Sequence, residues 1–165
     1  MARSFDAASD SYDAAAQLQA GVREELLSRV ELLQAPPGAV LDLGCGTGAA
    51  AEQLKRRFPR ARVTAADIAP AMVRAARRRS RLWRPLRAVE AGAHALPFET
   101  AQFDLVLTSL MLQWADPLDR VLAGIRRVLK PGGLLLASSF GPETLQELRE
   151  AWAQADTAAH VNRFV

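Results

Sequence analysis

The chain has 165 residues, of which 50% are hydrophobic and 24% are charged, and its formal net charge is +3. This composition supports one folded domain with an apolar core and excludes a disordered chain. No apolar run approaches the roughly 18 residues of a membrane span, and the N-terminus has no apolar signal segment, so we expect a cytoplasmic protein without a membrane partner. One cysteine and two histidines exclude a disulfide framework and predict no bound metal.

The basic residues are concentrated in one segment. Residues 55–87 contain twelve basic residues and one acid, a charge of +11, whereas the rest of the chain carries −8. Such a segment is either a solvated helix face or an electrostatic surface for an acidic partner. Because no aromatic residue interleaves the arginines before Trp83, and no nucleic-acid motif accompanies them, we expect no nucleic-acid partner.

Short apolar runs alternate with helical patterns along the chain. Apolar residues at helical spacing predict a first helix over residues 14–33, which ends before two prolines. Five apolar runs bounded by glycine, proline or charge predict buried strands, in chain order Ala39–Leu43, Arg62–Ala66, Leu86–Glu90, Phe103–Thr108 and Leu134–Phe140. The segments between and after them predict helices over residues 49–58, 70–80, 117–130 and from about 142. This alternation predicts one α/β domain, with a mostly parallel sheet, helices on both faces and right-handed crossovers.

The turn after the first predicted strand is rich in glycine. Residues 42–48 read Asp-Leu-Gly-Cys-Gly-Thr-Gly, and a predicted helix follows at once. Glycines let the backbone turn tightly and approach a ligand, and free N–H groups at the helix start favour an anionic group. The dinucleotide fingerprint of nicotinamide and flavin enzymes is G-x-G-x-x-G, whereas Gly44, Gly46 and Gly48 are spaced two apart. A nicotinamide-dependent oxidoreductase is therefore an alternative that would need a wider spacing.

Asp67 is the second candidate ligand-binding residue. It follows the second predicted strand and lies 19 residues past Gly48. A carboxylate there can accept hydrogen bonds from the two hydroxyls of a ribose. An isolated aspartate in this place is more often a turn former or a helix cap, but the glycine-rich turn upstream favours the ribose role.

Four motifs in succession resemble those of class I S-adenosylmethionine-dependent methyltransferases. They are Val40–Gly48, Ala66–Met72, Leu96–Phe98 before Phe103–Val106, and Leu129–Gly133. The resemblance covers residues 38–140 and implies the Rossmann-like fold of that family. It also implies S-adenosylmethionine as cofactor and S-adenosylhomocysteine as product.

The resemblance assigns the cofactor contacts residue by residue. The turn receives the methionine end of the cofactor, Asp42 helps to hold its ammonium, Asp67 holds the ribose and Ile68 packs on the adenine. Cys45 is expected to pack beside the cofactor and not to act as a nucleophile. The full set of cofactor-binding candidates is Asp42, Gly44, Cys45, Gly46, Gly48, Asp67, Ile68, Ala93 and Ser109.

The chain departs from the family pattern after the third predicted strand. Family members usually carry an acid there that meets the adenine amino group, whereas this chain has Gly92-Ala93-His94. We therefore expect the backbone N–H of Ala93 to serve the adenine in place of that side chain, and we expect His94 to be a surface residue.

Three further stretches resemble the malonyl-acyl carrier protein O-methyltransferases of biotin synthesis. They are Arg3–Gln19, Ser109–Trp114 and Ser139–Arg149, and His160–Phe164 fits as well. Such enzymes methylate the free carboxyl of a malonyl thioester, on acyl carrier protein or CoA, so that it can be elongated toward a pimeloyl chain. The alternatives are a small-molecule C- or O-methyltransferase, an arginine-hydroxylating assembly factor that shares the third stretch, and a binding protein without catalysis.

The implied reaction needs little acid–base chemistry. A malonyl carboxylate is ionised at pH 7, because carboxyl pKa values are about 4, so it can attack a sulfonium methyl without a general base. Catalysis then rests on alignment and on exclusion of water. The catalytic candidates are Tyr12, as part of a lid with Phe5; Gln113 and Trp114, after the fourth strand; and Arg149, as a partner for the malonyl carboxylate. The structural alternatives are that Phe5, Tyr12 and Trp114 are packed aromatic residues. Arg149 would then be an exposed helical arginine.

The resemblance also divides the chain into functional parts. Residues 1–35 are expected to form an N-terminal helix and lid, residues 38–140 the cofactor-binding core, and residues 141–165 the start of the substrate side. The family closes its sheet with two more strands, which we expect to be missing from these 165 residues. We expect a monomer, and we expect the arginine-rich segment to attract an acidic carrier protein.

Overall fold

A computed structural model describes residues 17–155 of the chain. Its centre is a five-stranded parallel sheet with the order β3-β2-β1-β4-β5. The strands are β1 (Ala39–Leu43), β2 (Arg62–Asp67), β3 (Arg87–Glu90), β4 (Phe103–Ser109) and β5 (Leu129–Ser138). This architecture confirms the predicted α/β fold with its parallel sheet.

Of the α-helices within residues 17–155, three connect consecutive strands, one precedes the first strand and one follows the last. They are α1 (Gln17–Ser28), α2 (Ala49–Arg57), α3 (Pro70–Arg79), α4 (Leu118–Val128) and α5 (Gln146–Ala155). Short 3-10 helices cover Arg29–Leu32, after α1, and Leu112–Trp114, after β4. No helix within residues 17–155 is long and apolar enough to cross a membrane.

The sheet has a helix layer on each face. Val40 and Leu105 lie in a core cluster with side chains of α1, α2 and α3, whereas Leu41 and Val106 lie in a second cluster with side chains of α4. Successive side chains of a strand point to opposite faces, so strands covered on both faces bury all their apolar positions. This explains why β1 is buried along its whole length and is apolar at every position except Asp42.

The last strand differs from the prediction at both ends. We expected it to begin at Leu134, but β5 begins at Leu129, which pairs with Phe103 across a bulge, and it ends at Ser138. Leu129 is partly buried against the α4-side core, so packing draws this segment into the sheet. The intervening proline is tolerated because, among the described strands, β5 pairs only with β4 and has a free edge.

The last helix begins later than predicted. We expected a start near Pro142, but α5 begins at Gln146, after a turn in which Leu145 has a φ of 58°. The first predicted helix ends as α-helix at Ser28 and continues as a 3-10 turn. Its start lies outside the described residues.

Asp104 connects three strands at the end of the sheet opposite the glycine-rich turn. Its carboxylate accepts hydrogen bonds from Gly38 N–H (2.9 Å) and Ala39 N–H (2.8 Å), and from Lys130 Nζ (2.7 Å). Partial burial opposes ionisation of Asp104, but Lys130 and the two N–H groups outweigh it and lower the pKa of the carboxyl. This carboxylate holds the starts of β1 and β5 against β4.

Candidate functional site

The carboxyl ends of the strands border two adjoining clefts. The first has a volume of about 290 Å³ and extends from the glycine-rich turn across the ends of β2 and β3 to the residues after β4. The second has a volume of about 280 Å³ and extends from the same turn to Asp42, α1 and α2. Gly44, Gly46 and Ser109 line both clefts. Together they form one elongated site at the edge where open α/β sheets bind ligands.

The glycine-rich turn needs its glycines for physical reasons. Gly44, Gly46 and Gly48 have φ values of 70°, 54° and 82°, in the left-handed region where other residues are strained. A Cβ on Gly44 would lie 2.5 Å from Met111 Cγ, and a Cβ on Gly48 would lie 2.7 Å from Ala76 Cβ. The predicted tight turn is therefore confirmed, and the close approach involves protein atoms as well as the cleft.

Asp42 lies beneath the turn and is 2% exposed. Its Oδ2 accepts a hydrogen bond from Ala51 N–H, in the first turn of α2, at 2.9 Å. Burial raises the pKa of the Asp42 carboxyl to about 7; the Ala51 N–H opposes this shift, the charge of Asp67 adds to it, and Arg23 opposes it. A cation bound in the second cleft would favour the ionised form, so the site fits an ammonium group.

Asp67 is the last residue of β2 and lies beside the turn. Its Oδ2 accepts a hydrogen bond from Gly46 N–H at 2.8 Å, and its Oδ1 accepts one from Ala69 N–H at 2.9 Å. A carboxylate oxygen can accept more than one hydrogen bond, so a carboxylate held in this way suits a pair of hydroxyls. The N-cap of α3 is Ala69, so Asp67 is not the cap of that helix.

The neighbouring cofactor candidates are apolar or small. Ile68 is 56% exposed and lines the first cleft, as a residue that packs on a flat apolar group should. Cys45 is buried, and burial, with the nearby charges of Asp42 and Asp67, raises the pKa of its thiol well above the ordinary value. The thiol is therefore not activated as a nucleophile. Ala93 lines the first cleft, as predicted for a backbone contact.

His94 differs from our expectation of a surface residue. It lines the first cleft and is only partly exposed. Its Nε2 is buried and has no hydrogen-bond partner among residues 17–155. The sequence does not show this placement, because residues distant in the chain form the cleft that His94 lines.

Gln113 and Trp114 lie on the 3-10 helix after β4 and line the first cleft, where we predicted them. Trp114 is 37% exposed, so it is not a core residue. Gln113 Nε2 donates a hydrogen bond to Leu110 O, and its Oε1 is buried without a partner among the described residues. The amide nitrogen of Gln113 is thus engaged by the backbone.

The structure places Arg149, a third catalytic candidate, away from both clefts. Arg149 donates hydrogen bonds to Pro142 O (2.6 Å) and to Thr144 O, and so stabilises the turn before α5. It lines neither cleft. Tyr12 and its predicted lid partner Phe5 lie outside the described residues, as do residues 160–164.

Arg23 is a site residue that sequence reasoning missed. It extends from α1 to line the second cleft, close enough to Asp42 to affect the pKa of that carboxyl. Its Nε is buried and has no acceptor among the described residues. A single arginine on an amphipathic helix gives no sequence signal of this kind. The second cleft thus combines a buried carboxylate with a guanidinium, which suits a zwitterionic group.

No metal centre is formed within the described residues. Among residues 17–155, no three His, Cys, Asp or Glu side chains are grouped so that they could hold a metal ion.

The chain resembles known proteins in sequence over nearly its full length. It is 48% identical over 162 residues to a malonyl-[acyl-carrier protein] O-methyltransferase of Halorhodospira halophila, and 45% identical over 163 residues to one of Xylella fastidiosa. Each match covers 98% of this chain and 55% of the relative. The chain therefore spans little more than half the length of these relatives.

Solved structures share the fold. An S-adenosylmethionine-dependent methyltransferase from Mesorhizobium loti matches with a TM-score of 0.64 and 25% identity, over 75% of this chain and 56% of the other. The [4+2]-cyclase SpnF matches with a TM-score of 0.59 and 29% identity, over 68% of this chain and 42% of the other. A cyclase on the same architecture shows that fold alone does not define the reaction.

A family model described as a methyltransferase domain matches residues 41–137, more than half of the chain. The match runs from β1 into β5 and includes the glycine-rich turn, Asp67 and the loop after β3. The chain belongs to this methyltransferase domain family.

Proposed function

We propose that this chain binds S-adenosylmethionine as the cofactor-binding part of an enzyme that O-methylates the free carboxyl of malonyl-acyl carrier protein, or of malonyl-CoA, in biotin synthesis. The observation that carries cofactor binding is the Asp67 carboxylate, which the N–H groups of Gly46 and Ala69 hold at the carboxyl end of β2. The choice of acceptor rests on the two bacterial relatives. The enzyme acts as a cytoplasmic monomer in this proposal.

The described residues fit each part of the cofactor. Asp42 and Arg23 in the second cleft suit its ammonium and carboxylate, because a buried carboxylate and a guanidinium are the complementary charges. Asp67 suits the ribose hydroxyls, and Ile68 with Ala93 suits the base. When bound, the cofactor supplies an electrophilic methyl group on a sulfonium, and S-adenosylhomocysteine is left as product.

The proposed reaction in the first cleft requires positioning of the acceptor more than proton transfer. The acceptor carboxylate is ionised at pH 7 and needs no base, since carboxyl pKa values are about 4. Gln113 and Trp114 lie beyond the carboxyl end of β4, on the far side of β1 from Asp67, so they border the place where an acceptor would approach. Their role is to orient the acceptor and exclude water, which supplies rate through alignment.

In this proposal the chain divides as the sequence suggests. Residues 38–140 bind the cofactor, residues 1–35 cover it as helix and lid with Tyr12, and residues 141–165 begin the substrate side with Arg149.

A carrier-protein substrate is supported by the charge of one surface. Six arginines on or after α3 are exposed, at positions 74, 77, 78, 81, 84 and 87. Within them a hairpin closed by hydrogen bonds between Arg81 and Arg84 presents Leu82 (97% exposed) and Trp83 (78% exposed) to solvent. Tryptophan and arginine are enriched in interfaces, and acyl carrier proteins are strongly acidic.

The test has two stages. Calorimetric titration with S-adenosylmethionine and with NAD should show binding of the first and none of the second. Transfer of labelled methyl should then occur to malonyl-acyl carrier protein and not to phenols or guanidino compounds. Binding without transfer to any acceptor would contradict the enzymatic part of the proposal, and transfer to a phenol would contradict the acceptor.

A further inference from the structure

We propose that Ser138 is a positioning residue for the methyl acceptor, because its hydroxyl holds residues 110–114, the acceptor loop, in a strained backbone conformation. The inference rests on the proposed function. Ser138 is the last residue of β5 and lines neither cleft. Its effect on an acceptor therefore passes through the acceptor loop, which does line the first cleft.

The strain lies at Leu110, the residue that follows β4. Leu110 has a φ of 51°, in the left-handed region. A leucine in this region brings its Cβ close to the following carbonyl oxygen, so large side chains rarely adopt it. Such a conformation persists only where the surrounding structure enforces it. Contacts from outside Leu110 must therefore hold the acceptor loop in this shape.

Ser138 supplies two of these contacts. The N–H of Leu110 donates to Ser138 O and to Ser138 Oγ, each at 3.1 Å. Ser138 Oγ also lies 3.5 Å from the Oγ of Ser109, its register partner on β4. On the other side, Leu110 O accepts a hydrogen bond from Gln113 Nε2. The contact with Ser138 O needs only the backbone, whereas the contact with Oγ needs a hydroxyl side chain at this position.

The turn at Leu110 decides where the rest of the acceptor loop lies. Met111 packs on the glycine-rich turn, so closely that a Cβ on Gly44 would lie 2.5 Å from Met111 Cγ. Gln113 and Trp114 follow on the 3-10 helix and line the first cleft. An extended or right-handed Leu110 would send the chain away from β4 in another direction. The strained conformation thus sets the acceptor side of the cleft.

Relaxation of Leu110 would lower the fraction of molecules whose acceptor loop is in place. The apparent dissociation constant of an acceptor equals the intrinsic constant divided by that fraction. The hydrogen bonds that fix Asp42 and Asp67 do not involve Ser138. Loss of the Ser138 hydroxyl should therefore weaken binding of the acceptor and leave binding of the cofactor nearly unchanged.

The first test measures the two affinities by calorimetry. Malonyl-CoA is titrated into the chain saturated with S-adenosylhomocysteine, and S-adenosylhomocysteine is titrated alone. We expect Ser138→Ala to raise the dissociation constant of malonyl-CoA about five-fold, as loss of one neutral hydrogen bond allows, and Ser138→Thr to restore it. The matched control is Ser139→Ala, since Ser139 is exposed and its Oγ donates to the adjacent Phe140 O. Unchanged affinity for malonyl-CoA in Ser138→Ala, or an equal loss for both ligands, would overturn the proposal.

The second test asks whether Ser138 acts on the strain itself. Asparagine tolerates the left-handed region better than leucine does, so Leu110→Asn needs less support. We expect the effect of Ser138→Ala on malonyl-CoA binding to shrink to roughly two-fold or less in a Leu110→Asn background. An effect of the same size in both backgrounds would overturn the proposed link between Ser138 and the strain.

A third measurement needs no acceptor. In a chain with Trp83→Phe and Trp152→Phe, the fluorescence of Trp114 reports the acceptor loop. Trp114 is 37% exposed, and Ser138→Ala should expose it further and shift its emission to longer wavelength. Unchanged emission would overturn the role of Ser138, whereas a wild-type chain that binds S-adenosylhomocysteine but not malonyl-CoA would overturn the proposed acceptor.

Discussion

If Asp42 holds the cofactor ammonium as proposed, ligand binding and stability oppose each other at this residue. Burial raises the pKa of its carboxyl from 3.8 to about 7. The folded chain therefore binds a proton at Asp42 between these values, whereas the unfolded chain does not. Stability from this group is complete below pH 3.8 and is lost as the pH rises through about 7. The ionised carboxylate that a cofactor ammonium needs is thus costly in the free protein.

Asp42→Asn should separate these two effects. The amide keeps an oxygen for the Ala51 N–H and cannot ionise, so the free energy of unfolding should rise at pH 8, by on the order of 4 kcal/mol at about 1.4 kcal/mol per pKa unit. The gain should vanish near pH 4. Affinity for S-adenosylmethionine should fall at least ten-fold, as roughly expected for a lost charged hydrogen bond. Urea unfolding at both pH values and calorimetry measure the two effects; a variant that is no more stable at pH 8 would contradict this account.

Asp67→Ala should weaken S-adenosylmethionine binding about a hundred-fold, because two hydrogen bonds to a charged group are lost. The matched control is Glu90→Ala. Glu90 is the register partner of Asp67 on β3, but it is exposed and does not line the first cleft. Calorimetry on both variants decides the question: equal loss of affinity would show a general charge effect, and unchanged affinity in Asp67→Ala would contradict cofactor binding at this carboxylate.

At the scale of elements, the turn between β1 and α2 depends on Gly44. Alanine there would bring Cβ within 2.5 Å of Met111 Cγ at a φ of 70°. Gly44→Ala should therefore lower the free energy of unfolding by about 2 kcal/mol or more. Gly21→Ala is the matched control, since its Cβ on α1 meets nothing within 4 Å and should stabilise the helix by up to about 1 kcal/mol. Urea titration measures both, and equal midpoints for the two variants would contradict the packing argument.

The sequence predicted elements whose signals are local. The ends of β1 to β4 were predicted to within one residue, because buried strands read as apolar runs and Gly or Pro bounds them. The start of β5 was predicted wrongly, because the pairing of Leu129 with Phe103 depends on a bulge and on packing with α4.

The candidate site likewise contains residues with a local sequence signal and residues without one. The turn and Asp67 are adjacent to strand ends and were found from spacing. Elements distant in sequence form the clefts that His94 and Arg23 line, and the turn that occupies Arg149 has no signal in the helical pattern.

At the scale of the whole molecule, the exposed arginines and the two clefts lie in different places. The clefts lie at the carboxyl ends of the strands, whereas the exposed arginines follow α3 toward the hairpin of Leu82 and Trp83. These exposed arginines therefore lie outside the proposed cofactor site. An acidic protein that presents a tethered substrate can contact such a surface while the substrate reaches the cleft.

Reversal of charge at the hairpin should weaken binding of malonyl-acyl carrier protein. Arg81→Glu with Arg84→Glu should raise its dissociation constant about ten-fold or more at low salt, and an increase in salt should weaken wild-type binding more than that of the variant, because screening acts on the charges that remain. The control is Arg120→Glu with Arg126→Glu, which changes the net charge equally on α4, the other face of the sheet. Titrations of the carrier protein into each chain measure the constants. If both charge reversals weaken binding equally, net charge and not this surface attracts the carrier protein.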